Sequence, residues 1–256
     1  MNYKSMARTF PIVGADWALF FDVDGTLVDY VADPATAEIP RSLQQTLAEL
    51  SSALAGALAI ISGRSIVDLD RLFAPLQLPL AGQHGAEARR DGILRVFAPP
   101  SSALASILAP VYAFAASRPA IRIENKGLSV AIHYRGDESA RDALAALLAD
   151  AMERYGGEHE LLASHLAFDI RPRTANKGRA VEWFMSAAPF AGRVPIFIGD
   201  DRTDEDGFAA ALARGGHAIK VGGRGETIAP WRLDAPAALW RWLEQSRIAL
   251  ESGAQA

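Results

Sequence analysis

Asp22 and Asp24 follow the apolar run Trp17-Ala18-Leu19-Phe20-Phe21 and lead directly into Gly25-Thr26-Leu27. Period-two alternation along a strand would point the two carboxylates to the same side. Gly25 gives the backbone the freedom to leave the strand sharply at its carboxyl end. Two carboxylates held that close repel each other unless a cation shares them. A divalent ion with oxygen ligands is the natural partner, and Mg²⁺ suits a site that also handles phosphate. The plainer reading is a solvated acidic turn after a core strand, but three further groups follow in matching order.

A second apolar strand ends in Ile60-Ile61-Ser62-Gly63-Arg64. The Ser62 hydroxyl could hydrogen-bond a phosphate oxygen or cap the helix that follows. Arg64, on the same loop, is either structural or aimed at substrate. Lys177, in Asn176-Lys177-Gly178, falls at a predicted helix start, where a cation is unfavourable against the dipole unless an anion sits there too. A third strand ends in the acidic cluster Gly199-Asp200-Asp201-Arg202-Thr203-Asp204-Glu205. Glu205 and Asp206 read as negative charge in a first helical turn, and Thr203 and Phe208 as cap and core.

The motif D-x-D-G-T-L/V resembles the first signature of the haloacid-dehalogenase-like phosphatases, and the other three groups occur in that superfamily's order. The resemblance implies that Asp22 attacks phosphorus to form an aspartyl-phosphate, while Asp24 donates and then accepts a proton. It also implies Mg²⁺ as cofactor, held by Asp22, the Asp24 backbone carbonyl and Asp200. Asp201 would be a direct or outer ligand, and Asp204 would orient Lys177 or a metal-bound water.

Within the superfamily, the chain is most similar to the trehalose-6-phosphate phosphatases. Gly82-Gln83-His84-Gly85-Ala86-Glu87 matches their G-x-H-G-x-E element, and Glu124 through Arg135 follows their E-x-K-G-L-S-V-A/S-x-H-Y-R hairpin. Asp169-Ile170-Arg171-Pro172 occupies the slot usually written E-I-R/K-P, and Gly199 to Glu205 matches G-D-D-x-T-D-E in full. By this resemblance His84, Glu124, Lys126 and Arg135 contact substrate. A neutral disaccharide offers only hydroxyls, so its recognition needs a carboxylate and cations in fixed places. The plainer reading of Glu124 and Lys126 is ordinary charge on a hairpin turn. Two positions depart from the family: His165 replaces a lysine and Asp169 a glutamate, both expected at the distal glucose. His165 could titrate near neutrality, where a lysine would not.

The expected substrate is therefore trehalose 6-phosphate, supplied by a separate trehalose-6-phosphate synthase, because no glycosyltransferase domain fits in this length. A related capped phosphatase acting on sucrose 6-phosphate, mannosyl-3-phosphoglycerate or a hexose phosphate is the alternative. A non-catalytic sugar-phosphate-binding module stands further off, since Asp22, Asp24, Lys177 and Asp200 are all present.

Positioning these groups requires strands that end together. From residue 17 onward, strands alternate with amphipathic helical patterns, which predicts βαβ units and a parallel sheet. Helices are expected from Pro40 to about Leu54, with Leu43, Leu47 and Leu50 on one stripe, and from Ser65 to about Leu72. The run Leu78 to Phe97 reads as strands around the turn Asp91-Gly92. After the break at Pro99-Pro100-Ser101-Ser102 comes a second pattern: helix 103–116, hairpin 120–134, helix 139–155 and two strands ending at Ile170. The core resumes with helix 177–187, strand 194–199, helix 203–214, strand 216–221 and a terminal helix 236–250. The 114 residues between Ser62 and Lys177 far exceed an ordinary βα connection. The expected fold class is α/β: a Rossmann-like parallel-sheet core (1–98 and 173–256) with an inserted α/β cap domain (99–172). Ligands of such sheets bind beyond the carboxyl ends of the strands, where all the motifs fall.

Bulk properties exclude other classes. The 256 residues contain no cysteine, which rules out a disulfide scaffold and thiol chemistry and fits a reducing cytoplasm. The net charge is −4 and no basic run carries interleaved aromatics, so nucleic acid is not an expected partner. Met1 to Phe10 lacks the layout of a signal peptide. The apolar stretch Ala103 to Ala116 falls short of the ~20 residues that span a bilayer. The expectation is a cytoplasmic enzyme that does not associate with membranes.

Overall fold

The computed structural model describes residues 10–31, 36–98, 101–164, 166–223 and 225–253. The chain forms two compact units, Met1–Leu94 with Asn176–Ala256, and Arg95–Ala175. The sequence placed the insertion at 99–172; its Pro99-Pro100 break lies outside the described residues.

In the first unit the chain runs β1 (Trp17–Phe21), α1 (Arg41–Ala53), β2 (Leu58–Ile61), α2 (Ile66–Phe73), β3 (Leu80–Gly82) and β4 (Glu87–Arg90), and the boundary between the units falls within β5 (Ile93–Val96). Every residue of β1 and β2 is buried, as expected for central parallel strands covered on both faces. Leu43, Leu47 and Leu50 form the buried stripe of α1. Asp91 and Gly92 both have positive φ, the conformation of a two-residue hairpin turn between β4 and β5.

The second unit comprises α3 (Ala103–Ala115), β6 (Arg122–Asn125), β7 (Val130–His133), α4 (Arg141–Tyr155), β8 (His159–Ser164) and β9 (Ala167–Pro172). Its strands form an antiparallel four-stranded sheet in the order β6-β7-β9-β8. Ile107, Leu108 and Val111 of α3 and Leu144 and Leu148 of α4 pack with Ile132, Phe168 and Ile170 into one core. Because Ile123, Ile132 and Phe168 are register partners on the helix-covered face, Glu124, Ala131 and Asp169 line up on the other.

The chain returns to the first unit with α5 (Lys177–Met185), β10 (Val194–Gly199), α6 (Glu205–Ala213), β11 (His217–Val221), β12 (Trp231–Leu233) and α7 (Pro236–Glu251). The large sheet has eight strands in the order β12-β11-β10-β1-β2-β3-β4-β5. It is parallel from β12 to β3, and β4 runs against β3. The chain leaves β1 toward β2 on one side and later builds β10 on the other, so a topological switch point opens between β1 and β10. Helix α7 fastens the unit: Trp240 Nε1 donates to the Leu27 carbonyl at 2.7 Å, and Val13 N donates to Ser246 Oγ at 3.2 Å. Strand β12, absent from the sequence reading, is three residues at the sheet edge, too short for a periodic signal. Among the described residues no helix is long and apolar enough to cross a membrane.

His217 begins β11 among aromatic rings, 4.9 Å from Trp17 and 5.9 Å from Phe10 between ring centroids. Burial lowers its pKa from the ordinary 6.5. A folded pKa below the unfolded one means that the unfolded chain takes up the proton first. Stability is therefore full above the unfolded value and is lost as pH falls toward the folded one. The thermal midpoint of the unaltered protein should drop more steeply between about pH 7.5 and pH 5.5 than that of His217→Phe. Equal slopes by calorimetry would refute this.

Candidate active site

Asp22 lies one residue beyond β1, where its N–H donates to the Ile198 carbonyl of β10 at 2.9 Å. The chain then turns tightly: Gly25 N donates to Val28 O at 2.7 Å, and Leu27 N to Val23 O at 2.8 Å. Gly25 has φ +84°, and a Cβ there would strike the Asp200 carboxylate and Tyr30. Because β1 ends at Phe21, strand alternation no longer governs the two acids. They find separate partners.

Asp22 is 5% exposed and accepts from Lys177 Nζ at 2.8 Å through Oδ1. Lys177 is the first residue of α5, behind Asn176, whose Oδ1 caps the helix by accepting from Arg179 N at 2.8 Å. Its ammonium is buried and also donates to Asp204 Oδ1 at 2.7 Å. The other oxygen of Asp204 accepts from the Asp200 and Asp201 amides at 2.9 and 3.0 Å. Asp201 in turn accepts from Thr203 N and Oγ1, both at 2.7 Å, completing a capping box. Gly199 is required where β10 ends, because a Cβ there would overlap the Asp204 side chain.

Asp200 is held at every polar atom. Thr26 Oγ1 donates to Oδ1 at 3.2 Å, Tyr30 Oη donates to Oδ2 at 3.0 Å, and Lys220 Nζ donates to the backbone carbonyl. Its N–H goes to Asp204, as above. Sequence reasoning missed Thr26, Tyr30 and Lys220, because nothing local shows that they converge on a residue more than a hundred positions away or on the neighbouring strand.

Asp24 is gripped by Arg64, Nε to Oδ2 at 2.7 Å and Nη2 to Oδ1 at 2.6 Å. The guanidinium is buried and the carboxylate side chain 27% exposed. Ser62 is buried, and its Oγ accepts from Arg64 N at 3.2 Å. The cap of α2 is Ser65, not Ser62. The segment Gln83–His84, both residues at positive φ, braces this loop: Gln83 N donates to Arg64 O at 2.8 Å and His84 N to Ser62 O at 2.9 Å. Glu87 Oε1 accepts from Ile66 N at 2.9 Å and Gln83 Nε2 at 3.1 Å. The His84 ring is buried against Gly63, where a Cβ would come within 2.7 Å of it.

In the second unit Glu124 of β6 meets His133 of the neighbouring β7, Oε2 to Nε2 at 3.1 Å, with Lys126 Nζ 3.8 Å from the same oxygen. Asp169 is buried, two strands from Glu124 and in register with Ala131. Arg135 follows β7 and is half-buried. His165 lies outside the described residues.

The electrostatics favour a cation. Asp22, Asp200 and Asp204 each offer an oxygen within 4.8 Å of the others'. Burial pushes the Asp22 carboxyl up to about 7 against the pull of Lys177, with Asp200 and Asp201 adding to the rise. Burial, then the charges of Asp204 and Asp201, raises Asp200 to about 7. Burial opposes the charge on Asp201 as well, but Lys177 and the Thr203 hydrogen bonds hold it below the usual carboxylate range. Asp204 accepts an ammonium on one oxygen and two amides on the other. Among the described residues, each Asp200 oxygen accepts a single hydroxyl and Asp22 accepts only Lys177, which keeps Asp22 and Asp200 as hard oxygen donors for a divalent ion.

Comparison with known proteins agrees with this chemistry. The sequence model of the trehalose-phosphatase family matches residues 20–236. The trehalose-6-phosphate phosphatase of Escherichia coli strain K12 is 41% identical over 243 residues, 94% of this chain and 90% of that protein. A probable trehalose-phosphate phosphatase of Sinorhizobium fredii is 42% identical over 81% of this chain and 78% of its own length. The C-terminal domain of the Candida albicans trehalose-6-phosphate phosphatase superposes with TM-score 0.82 at 22% identity, covering 91% of this chain and 92% of that one. The chain belongs to the trehalose-phosphatase family, phosphoric monoester hydrolases with a haloacid-dehalogenase-like fold.

Proposed function

We propose that this enzyme hydrolyses trehalose 6-phosphate to trehalose and phosphate through a phosphoryl group carried on Asp22, with Mg²⁺ as cofactor. The observation that carries the reading is the buried Lys177, which bridges Asp22 and Asp204 and fixes one oxygen of Asp22. Among the described residues no hydrogen bond is donated to the other oxygen, Oδ2. That oxygen attacks phosphorus as the bond from phosphorus to the sugar oxygen breaks, and the sugar oxygen takes a proton from Asp24. Asp24 then removes a proton from water, which attacks the same phosphorus and frees Asp22. Asp24 can do this only after parting from Arg64, which holds it by both oxygens in this structure. Ser62 would donate to a phosphate oxygen. Asp22, Asp200 and the Asp24 backbone carbonyl would hold Mg²⁺, which when bound neutralises charge between carboxylate and phosphate. Support for the substrate comes from the relatives' own description as trehalose-phosphate phosphatases. Sugar recognition would fall to Glu124, Lys126, Arg135, His165 and Asp169, with insertion limits at 99 and 172, and a separate synthase would supply the ester.

Phosphate release should depend on Mg²⁺ and favour trehalose 6-phosphate over sucrose 6-phosphate, glucose 6-phosphate and mannosyl-3-phosphoglycerate, with Asp22→Asn as blank. Preference for another ester would discard the substrate and keep the chemistry. Asp24→Asn should lose about 10²–10⁴-fold in kcat while still binding substrate; near-normal turnover would sink its role. Glu124→Ala should raise KM for trehalose 6-phosphate by roughly ten- to a hundredfold, the worth of a charge-assisted hydrogen bond. Its hydrolysis of a small aryl phosphate should not change. Equal losses on both esters would assign Glu124 to folding.

A further inference from the structure

Lys220 stands between the buried apolar residues Ile219 and Val221 of β11, and it is itself 4% exposed. Burying an ammonium is costly unless something compensates it. Its register partner is Gly199, the residue before Asp200, and its Nζ reaches around the end of β10 to donate to the Asp200 carbonyl. A carbonyl at a strand end can be satisfied by an amide, a hydroxyl or water, none of which requires a buried charge. With Lys220 in place, the peptide on both sides of Asp200 is fixed: the N–H by Asp204 and the carbonyl by Lys220. The carboxylate then has one direction in which to leave the backbone, toward Thr26, Tyr30 and Asp22.

We infer that Lys220 is a positioning residue that aims Asp200 at the divalent cation. The inference rests on the proposed Mg²⁺ site. The sign of the effect separates positioning from bulk electrostatics. Removing a positive charge beside Asp22, Asp200, Asp201 and Asp204 would by itself tighten a cation, so weaker binding reports lost geometry. A purely structural role would lower the unfolding temperature and leave the affinity of the folded protein unchanged.

The test is isothermal titration calorimetry of Mg²⁺ into the whole chain, unaltered and as Lys220→Met and Lys220→Arg. Lys220→Met should weaken Mg²⁺ about tenfold, and Lys220→Arg, which can still donate to the carbonyl, should recover most of the loss. At saturating Mg²⁺, KM for the phosphate ester should stay within about twofold of the unaltered value. If Lys220→Met does not fold, Lys220→Gln, whose amide stops short of the carbonyl, should show the same weakening. Unchanged or tighter Mg²⁺ binding by the variants would overturn the positioning role and leave the metal site standing. No Mg²⁺ binding by the unaltered chain would overturn the metal site, and this inference with it.

Discussion

A single ammonium group organises the acidic cluster at the ends of β1 and β10. Lys177 Nζ sits between Asp22 and Asp204, buried beyond reach of bulk water. Neither carboxylate could be buried as an anion without it, and removing one partner from such a cluster typically costs about 3–5 kcal/mol. The arrangement does more than neutralise. Asp204 uses its second oxygen to take the amides of Asp200 and Asp201, so the ion pair sets the backbone at the end of β10 as well as the Asp22 carboxylate at the end of β1. Three segments distant in sequence meet in this one polar knot.

Around it the fold leaves little slack. A side chain at Gly25 would collide with Asp200, and one at Gly199 with Asp204, so two acidic loops approach as closely as the backbone allows. On the other flank, Gln83, His84 and Glu87 hold the Ser62–Arg64 loop from below. Preorganisation of this kind costs nothing at the moment of reaction, since the donors are in place before charge develops. Asp24 is the exception. Its partner is a guanidinium on the neighbouring loop, and its carboxylate stays 27% exposed where Asp22 and Asp204 are buried.

Much of this was legible in the sequence because periodic patterns mark elements and turn residues mark their ends. Helix α1 announced itself through Leu43, Leu47 and Leu50, and β10 through an apolar run ending in Gly199-Asp200. The family resemblance named the acids and Lys177 because those residues stand in short local motifs. Lys220 and Tyr30 could not be read that way. A lysine within Ala-Ile-Lys-Val looks like an exposed strand position until the register sets it beside Gly199, and Tyr30 looks like loop until the turn at Gly25 folds it back onto Asp200. Sequence shows which residues share an element's face. Convergence across elements depends on register and turn geometry, which no local pattern encodes. Edge strands such as β12 escape for a simpler reason, being three residues long and so too short for period-two alternation to stand out.

The long reach of the tie between Trp240 and Leu27, 213 positions apart, has a consequence for biosynthesis. As the chain leaves the ribosome, the loop bearing Asp22 and Asp24 emerges first of these, Lys177 follows 155 residues later and α7 later still. At typical translation speeds, the acidic loop waits on the order of ten seconds for its counter-charge. The sheet cannot close around β1 until β10 has been made, because β10 is its neighbour on one side. Hydrolytic competence therefore arrives late and all at once, and a nascent chain stalled before α5 displays the phosphatase motif without being a phosphatase.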